Sequence, residues 1–422
     1  MSDGVCILGG FQTDFARHLT REGKTIGALV EETARGALEA AELDPVDVGT
    51  IHVGNAFGEL FTGQAHLGAM PASVLPALWG VPAMRHEGAC ASGSLAILSA
   101  MAEIEAGRYD VALVLGVEIE RNVSGEIAAR HMGSAAHVGE EAKDARYVWP
   151  RMFSDVADEV ERVHGLDRRH LAAIAKKNLS NARANPRAQT RAWTFADAAF
   201  GEDDVANPIV EGRLRRLDCA QVTDGGAGVV LASRRFAERE WKARHGARAP
   251  RIAGWGHRTA GLSLAAKFER RARPGVDAFG DPLPPSPFLM PHLRRTIEDA
   301  YRRAGIDGPL DLAGIEAHDC FTITEYLAID HLGITEPGRA SRAIEERVTE
   351  RDGRVPVNPS GGLIGGGHPV GATGVRMLLD AANQVRDRAG DTQIRLERGR
   401  RRFATLNIGG STATSVCFVV EA

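Results

Sequence analysis

The stretch Glu87-Gly88-Ala89-Cys90-Ala91-Ser92-Gly93-Ser94 sets a cysteine between a short extended run and an apolar helical pattern. Residues 83–87 form the extended run, and the helical pattern follows from Leu95. Small residues around Cys90 let the backbone bend and let a ligand approach the thiol. Because a helix N-terminus has unpaired N–H groups and a dipole that favours an anion, we expect this thiol to be more acidic than a free cysteine. The alternative is a buried cysteine that packs a helix against a sheet.

Composition limits the classes of protein to which the chain can belong. Its 422 residues, 44% hydrophobic and 25% charged, are typical of a globular protein with two or three domains. A net charge of −4 gives no electrostatic argument for nucleic acid or an anionic membrane, and no run of about 18 apolar residues predicts a membrane span. Five cysteines without zinc-site spacing, and a start without a signal-peptide pattern, predict a cytoplasmic protein and no metal.

Strands and helices alternate in the first part of the chain. Residues 5–8, 50–53 and 111–117 are predicted strands, and Ile26–Ala41 is a predicted amphipathic helix. This alternation indicates an α/β fold with a largely parallel sheet.

The pattern changes between residues 120 and 216, where aromatic side chains stand among charged ones. Helices are predicted at residues 155–164 and at Arg168–Ala182. The sheet pattern returns at Gly225–Ser233. We interpret the intervening residues as an insertion between two strands of the first half.

The second half of the chain repeats the first. Two sets of residues recur in the same order: Pro45, Asp47, Ile51 and Phe57 match Pro309, Asp311, Ile315 and Phe321 at one constant offset, and Ala91-Ser92-Gly93 matches Ala372-Thr373-Gly374. The repeat makes an internal duplication more probable than chance. Cys90 and Gly371 then occupy related turns, and His368 precedes Gly371 by three residues. Two related helix N-termini can therefore face each other, one carrying a thiol and the other an imidazole.

Residues 358–374 form a glycine-rich segment that contains His368 between Gly367 and Pro369. A phosphate-binding loop is one interpretation, because glycine-rich turns before helices bind phosphates. The segment lacks the Gly-Lys-Ser/Thr ending of that motif. A histidine held on a rigid turn is better explained as a catalytic base.

Two further groups lie at predicted strand ends. His318-Asp319-Cys320 supplies a second imidazole and a second thiol, at the position where α/β sheets place functional groups. Asn407-Ile408-Gly409-Gly410 follows the predicted strand 403–406, and its glycines can present bare N–H groups. Cys320 alone could equally be a structural residue. We interpret Cys417 as a core residue of the last strand.

With these motifs the chain resembles a thiolase over nearly its whole length. Cys90 stands in the nucleophile motif of that family, and Gly367-His368-Pro369 is its Gly-His-Pro motif. Two departures place the chain within the family: His318-Asp319-Cys320-Phe321 replaces Asn-Glu-Ala-Phe, and Asn407-Ile408-Gly409 replaces Cys-x-Gly. Both are those of the sterol-carrier-protein type of thiolase.

The resemblance implies the thiolase fold. Two duplicated βαβαβαββ halves would form a five-layer α-β-α-β-α arrangement with an inserted loop domain. The N-terminal half would comprise residues 1–120 and 217–250, the loop domain residues 121–216, and the C-terminal half residues 251–422.

The resemblance also implies the roles of the site residues. Cys90 would become an acyl-enzyme, His368 would accept its proton, and Cys320 would exchange a proton with the α-carbon of a second acyl-CoA. One oxyanion site would come from His318 and His368, and the other from the N–H groups of Cys90 and Gly409. No metal or redox cofactor is implied, because CoA thioesters are substrates. The residues that bind CoA cannot be assigned from the motifs.

The expected activity is transfer of an acyl group between CoA thioesters, by Claisen condensation or by thiolytic cleavage of a 3-ketoacyl-CoA. Expected partners are acyl-CoA and CoA, a further copy of the chain in a homodimer or tetramer, and, as an option, a small acyl-CoA-binding OB-fold protein. Two alternatives stay open at this point. One is a thiolase-fold retro-aldolase acting on a hydroxyacyl-CoA, and the other is a non-catalytic thiolase-like subunit of an acyl-CoA-binding complex.

Overall fold

The computed structural model describes residues 4–246, 248–272, 275–276, 282–283, 285–397 and 399–422. Within these ranges, no helix is both long enough and apolar enough to cross a lipid bilayer.

A nine-stranded sheet is the centre of the described structure, and its strands follow the order β11-β12-β13-β8-β1-β7-β4-β2-β3. Two short two-stranded sheets, β5 with β6 and β9 with β10, lie outside it. The strands are β1 Val5–Gln12, β2 Thr50–Gly54, β3 Ala83–His86, β4 Val111–Glu118, β5 Ile209–Glu211, β6 Leu214–Arg215, β7 Gly225–Ser233, β8 Arg251–Thr259, β9 Gly275–Val276, β10 Pro282–Leu283, β11 Gly314–Ala317, β12 Arg402–Gly409 and β13 Thr414–Glu421.

Helices cover both faces of this sheet. They are α1 Ile26–Ala41, α2 Gly58–Thr62, α3 Met70–Val74, α4 Ser92–Glu105, α5 Gly125–Gly133, α6 Val148–His164, α7 Arg168–Ala182, α8 Arg234–Phe236, α9 Lys242–His245, α10 Leu264–Ala272, α11 Pro291–Ala304, α12 Thr322–His331, α13 Ala340–Glu345, α14 Gly362–Gly366 and α15 Thr373–Val385.

The strands bury both of their faces, as β1 illustrates. Val5 and Ile7 belong to one hydrophobic cluster, whereas Cys6 and Leu8 belong to another, because successive side chains point to opposite faces. The first cluster contains α4 and α15, and the second contains α1. A third cluster packs α11 and α12 against β12 and β13. The layers are therefore α1, the first-half strands, α4 with α15, the second-half strands, and α11 with α12, which confirms the five-layer fold.

The duplication is visible in the strand order. The first half reads β1-β7-β4-β2-β3 and the second half reads β8-β13-β12-β11, so each of these second-half strands has a counterpart in the first half. Beside β11 the counterpart of β3 is reduced to one bridge in the described residues, between Ile315 and Val357. The halves join where β1 pairs with β8 over two residue pairs, Val5 with Ile252 and Cys6 with Arg251.

The expectation of a largely parallel sheet is wrong. The pairs β2–β3, β2–β4 and β11–β12 are parallel, but the pairs that involve β1, β7, β8 and β13 are antiparallel. Continuous apolar runs such as that of β4 suggested parallel pairing. Their burial on both faces comes instead from the layers of helices above and below, which cover parallel and antiparallel strands alike.

The predicted elements are present, but several boundaries differ: β1 runs on to Gln12 and β12 to Gly409, beyond the predicted ends at residues 8 and 406. Ile26–Ala41, Arg168–Ala182 and Gly225–Ser233 have the predicted bounds. The helix predicted at residues 155–164 begins earlier, at Val148, because the amphipathic pattern extends through its apolar residues Met152 and Phe153, which are buried. The segment 120–216 carries α5, α6, α7 and a two-stranded sheet, and adds no strand to the central sheet. The division into three domains stays a prediction.

The N-termini of α4 and α15 meet in the middle layer, where glycines permit backbone-to-backbone contact. A Cβ atom at Gly93 would lie 2.7 Å from the carbonyl oxygen of Gly371. At Gly116, in β4, a Cβ atom would overlap the same carbonyl oxygen and would lie 2.7 Å from the Cα atom of Ala372. The two related turns therefore touch each other directly.

We predict that Gly116→Ala lowers the free energy of unfolding by about 1–3 kcal/mol, because the added methyl group meets backbone atoms that cannot rotate away. The measurement is urea unfolding followed by circular dichroism. The control is Gly261→Ala, since a Cβ atom there meets nothing within 4 Å. Equal stability of the two variants would contradict the close packing of the turns.

Candidate active site

A mostly apolar cavity of about 280 Å³ lies between the catalytic turns and the inserted segment. It brings together four groups singled out in the sequence, namely Cys90, Cys320, His368 and the Gly409-Gly410 segment through Gly410. The remaining walls are the residues Phe57, Ala89, Glu120, Gly125, Ala129, Met132, Tyr147, Val148, Trp149, Pro150, Phe153, Val210, Cys219, Ala220, Gln221, Val222, Phe321 and Val370. The inserted segment therefore closes the site over the thiols.

Cys90 lies on a single 3₁₀ turn, Ala89–Ala91, directly before α4. Two hydrogen bonds hold the turn: the Gly88 N–H donates to Ser92 Oγ at 3.0 Å, and the Ser92 hydroxyl donates to the Ala89 carbonyl at 2.6 Å. Ala89 has a φ of 51°, a left-handed conformation that non-glycine residues seldom adopt. The turn directs the Cys90 thiol into the cavity.

His368 meets Cys90 from the related turn of the second half. Its Nε2 atom lies 3.4 Å from Cys90 Sγ, and its Nδ1 atom lies 2.7 Å from Thr373 Oγ1. When the Thr373 hydroxyl donates to the Pro369 carbonyl at 3.0 Å, its oxygen accepts from Nδ1–H. That arrangement assigns the proton to Nδ1 and leaves the Nε2 lone pair facing the thiol. The imidazole is thus oriented as an acceptor for the Cys90 proton.

His318 and Asn407 complete the group on the second-half side. The rings of His318 and His368 meet edge to face with centroids 5.2 Å apart. Asn407 Nδ2 lies 3.1 Å from both the Cys90 carbonyl and His318 Nδ1, while its Oδ1 accepts from the Ser94 hydroxyl at 2.7 Å. Because the amide nitrogen can only donate, His318 Nδ1 is an acceptor and the ring proton is on Nε2. His318 is therefore a donor toward a ligand.

Cys320 follows β11 and is 8% exposed. Its thiol lies 3.7 Å from the Thr324 hydroxyl, a long contact that leaves it available to the cavity. The neighbouring Asp319 is fully buried and accepts from the N–H groups of Leu363 and Ile364 at 2.5 and 3.3 Å. It thereby caps α14, the turn that leads into His368, and ties the two second-half motifs together.

Gly409 and Gly410 lie beside the Cys90 turn. Gly409 packs so closely on the Gly88 carbonyl that a side chain would not fit. The Gly410 N–H, one residue further, lies near Cys90 Sγ and favours the charged thiolate. The role expected for the Gly409 N–H stays a prediction. Cys417 is fully buried in β13, as predicted.

The expectation of an unusually acidic Cys90 is wrong for the protein without ligand. Burial raises the pKa of Cys90 to about 12, and the carboxyl of Glu120 adds to the rise, while the Gly410 N–H opposes it. Desolvation thus outweighs the helix N-terminus. Burial lowers the pKa of His368 to about 3, with a further contribution from the positive charge of Arg376. At neutral pH the pair is a neutral thiol beside a neutral imidazole.

The other two groups are also uncharged at rest. Burial raises the pKa of Cys320 well above its ordinary value, and the nearby Cys90 contributes. Burial lowers the pKa of His318 well below its ordinary value, helped by His368 and Arg376. Cys90, Cys320, His318 and His368 therefore carry no fixed charge at rest.

Cys90, His318 and His368 could together hold a metal ion, since their ligand atoms lie within 4.8 Å of one another. Thiolate and imidazole are the ligands that Zn²⁺ prefers. The same three groups are those of a nucleophile, its base and a hydrogen-bond donor, which is a complete set without a metal. A bound zinc ion would occupy the Cys90 sulfur and block it as a nucleophile.

Several residues at the site gave no sequence signal of their own. Thr373 orients His368, Asn407 orients His318, and the Thr223 hydroxyl accepts from the His368 N–H at 2.8 Å. Glu118 accepts from the N–H groups of Ala56, Phe57 and Gly371 and so joins the two halves. The alignment of Ser92 with Thr373 in the repeat could have pointed to the hydroxyl at each turn.

Comparisons with known proteins agree with this geometry. A family model described as thiolase, N-terminal domain, matches residues 5–235, and one described as thiolase C-terminal domain-like matches residues 286–421. The acetyl-CoA acetyltransferase of Methanothermobacter thermautotrophicus is 31% identical over 98% of both chains. Human sterol carrier protein 2 is 27% identical over 92% of this chain and 67% of its own length.

A solved structure of the Ltp2-ChsH2(DUF35) aldolase superimposes with a TM-score of 0.72 at 18% identity, covering 99% of this chain and 98% of that chain. At 18% identity, this similarity shows only that the two proteins share a fold.

We predict that alkylation of Cys90 by iodoacetamide accelerates about tenfold for each pH unit from 7 to 9, without a plateau near 8.5. The reason is that the thiolate fraction grows tenfold per unit below the thiol pKa, which burial raises. Peptide mass mapping of each cysteine against time gives the rates. The control is glutathione, which levels off at its own thiol pKa. A plateau for Cys90 below pH 8 would restore the acidic thiol that the helix dipole predicted.

Proposed function

The chain belongs to the thiolase family, and from that premise we propose that it transfers acyl groups between CoA thioesters through an acyl-enzyme on Cys90. The observation that carries the proposal is the 3.4 Å contact between Cys90 Sγ and His368 Nε2 in a mostly apolar cavity. The relatives named above include an acetyl-CoA acetyltransferase, which supports the same reaction class. The proposed reaction is Claisen condensation of acyl-CoA or thiolytic cleavage of a 3-ketoacyl-CoA.

The first half-reaction forms the acyl-enzyme. As Cys90 attacks the thioester carbonyl, its proton moves to His368 Nε2, and the same proton then leaves on the sulfur of the departing CoA. Because the resting thiol is neutral, proton transfer has to accompany the attack. The tetrahedral oxyanion would be stabilised by the N–H groups of Cys90 and Gly409, and losing one such donor typically costs about 10²–10³ in rate.

The second half-reaction forms the carbon–carbon bond. Because Cys320 rests as a thiol, it first gives its proton to His368 Nε2. The Cys320 thiolate then accepts a proton from the α-carbon of a second acyl-CoA, and the resulting enolate carbon attacks the acyl group on Cys90. The Cys90 thiolate that is released takes the proton from His368, and Cys320 keeps the α-proton. His318 and His368 would stabilise the enolate oxygen. With Nδ1–H donating to Thr373 and the added proton on Nε2, His368 is a donor toward that oxygen. Thr373 can thus serve His368 both as base and as donor.

Two other functions have less support. The structural likeness to an aldolase complex suggests a retro-aldolase, but such a reaction does not require the two cavity thiols, Cys90 and Cys320. A non-catalytic subunit needs neither thiol nor the oriented His368. The same likeness, to a complex with a DUF35 component, keeps a small acyl-CoA-binding partner within the proposal.

The proposed function predicts that a Cys320 variant loses condensation but still forms the acyl-enzyme. Incubation with acetoacetyl-CoA and CoA should yield acetyl-CoA and a transient acetyl group on Cys90, detected by mass spectrometry. Cys320→Ala should still form the acyl-enzyme from acetyl-CoA yet lose condensation and α-proton exchange by at least about 100-fold, as expected for loss of an acid–base group. The control is Cys219→Ala, which removes the third cavity thiol.

A Cys320→Ala variant that condenses at the wild-type rate would refute the role of Cys320. Absence of any acyl group on Cys90 together with cleavage of a hydroxyacyl-CoA would favour the retro-aldolase instead.

We also propose that the protein forms a homodimer through β3, the edge strand of the described sheet. The carbonyls of Pro82 and His86 accept from β2, so the amides of Ala83 and Arg85 point outward. Met84, in the strand, and Trp79, just before it, are 40% and 75% exposed. Pairing with a second copy would cover an unpaired edge and these apolar side chains.

Sedimentation should therefore give a mass of at least twice the 45.1 kDa of one chain. Ala83→Pro should shift the protein toward monomer, because it removes an outward amide at an edge position that tolerates proline. Ala83→Thr, which keeps the amide, is the matched control. A stable active monomer of wild type would contradict the proposal.

A further inference from the structure

Three buried carboxyl groups lie beneath the cavity, and two of them are fully engaged. Glu118 accepts from the Asn55 side chain at 2.8 Å and from three backbone N–H groups at 2.9 to 3.1 Å. Asp224 accepts from the N–H groups of Leu19, Glu120 and Arg121 at 2.8 to 3.0 Å. Both oxygen atoms of each of these carboxyl groups therefore already have hydrogen-bond donors.

Glu120 differs from its two neighbours. Its side chain is 1% exposed, and Oε1 accepts from the Val370 N–H at 3.1 Å. Oε2 is buried and accepts no well-formed hydrogen bond among the described residues, although the Thr223 N–H lies near the carboxyl group. The residue also lines the cavity that contains Cys90 and His368. A buried polar atom without a partner is costly, and few occur in native proteins. With Oε1 held by Val370, Oε2 is the oxygen without a well-formed hydrogen bond in a residue that lines the cavity.

The surroundings of Glu120 keep it in its neutral form. Burial and the charges of Glu118 and Asp224 raise its pKa well above the ordinary value, while the N–H groups of Val370 and Thr223 oppose the rise. A neutral carboxyl group carries a hydroxyl and is a hydrogen-bond donor. Glu120 is thus placed as an uncharged donor in a wall without charge.

The rest of the cavity gives the character of the ligand. Around the reacting groups the walls are aromatic or aliphatic, with Tyr147, Trp149, Phe153 and Phe321 among them. Such walls favour an acyl group with an apolar body larger than acetyl. In a wall of this kind a buried unpartnered donor selects for an acceptor atom, because a ligand without that atom leaves the donor desolvated and unpaired.

We propose that Glu120 is a specificity-determining residue, whose neutral carboxyl group donates from Oε2 to an oxygen atom on the acyl chain of the substrate, beyond the thioester and the reacting carbons. The substrate class is then an oxygen-bearing, otherwise apolar acyl-CoA. This inference rests on the proposed function for the identity of the ligand as an acyl-CoA, but its test measures binding and does not require turnover.

The test uses Cys90→Ser protein, which binds acyl-CoA without forming a thioester on sulfur. Dissociation constants are measured by calorimetry for octanoyl-CoA and for its 5-, 6- and 7-oxo derivatives, which differ only in the position of one carbonyl oxygen. We expect at least one oxo derivative to bind about 10–100-fold more tightly than octanoyl-CoA, the range for pairing a buried donor. Equal binding of all four esters overturns the inference.

Two substitutions at Glu120 in the same background sharpen the test. Glu120→Gln keeps a donor and should keep the preference within about threefold. Glu120→Met removes the donor at similar volume and should abolish the preference. It should weaken the binding of the oxo derivative and strengthen the binding of octanoyl-CoA. A preference that survives in Glu120→Met overturns the inference. Thermal unfolding midpoints of the variants exclude a general loss of structure.

Gln221 supplies the matched control, since its side chain lines the same cavity and its amide already donates to the Cys219 carbonyl at 3.2 Å. Gln221→Met should change the ratio of the two dissociation constants, for octanoyl-CoA and its oxo derivative, by less than about threefold. If Gln221→Met abolishes the preference as fully as Glu120→Met does, the assignment to Glu120 is overturned. The two proposals fail separately. Lost preference with intact thiolysis rejects only the role of Glu120, and retained preference without thiolysis or acylation rejects only the proposed reaction.

Discussion

The site depends on backbone contact between two related helix N-termini in the middle layer. A side chain at Gly93 or Gly116 would collide with the Gly371 carbonyl, so the two turns can approach only because these positions carry no Cβ atom. Interiors are packed densely enough that such contacts resist adjustment. The approach sets the 3.4 Å separation of Cys90 Sγ and His368 Nε2. Catalytic geometry is therefore a property of the core and not of a mobile loop.

Buried carboxyl groups fix the positions of the segments around this contact. Glu118 accepts from the amides of the loop after β2 and from the amide of Gly371, so one carboxyl group positions elements of both halves. Asp319 does the same for α14. Each accepts enough N–H donors to offset part of the cost of burying a charge. The apolar cavity above them can then keep its thiols and imidazoles uncharged until a substrate arrives.

Much of the fold and most of the site could be predicted from the sequence. The repeat of Ala91-Ser92-Gly93 at Ala372-Thr373-Gly374 predicted that Cys90 and His368 meet, because related turns in duplicated halves occupy related places. The acidity of Cys90 could not be predicted, because it depends on how much water the inserted segment excludes. The orienting role of Asn407 was also inaccessible, since it requires the distance to a histidine on another strand. The expectation of parallel strands was wrong because an apolar run indicates that a strand is buried, and does not indicate whether its pairing is parallel or antiparallel.

The correspondence of the two turns has an evolutionary consequence. In the repeat, Cys90 stands opposite Gly371, and the counterpart of His368 is Glu87, so the centre is chemically asymmetric although its framework is duplicated. A single half paired with its own copy would present the same residue from both sides and could not set one thiol against one imidazole at the axis. Joining the halves in one chain broke that symmetry, because each turn could then change alone. Covalent fusion is thus a precondition for dividing nucleophile and base between two copies of one ancestral turn.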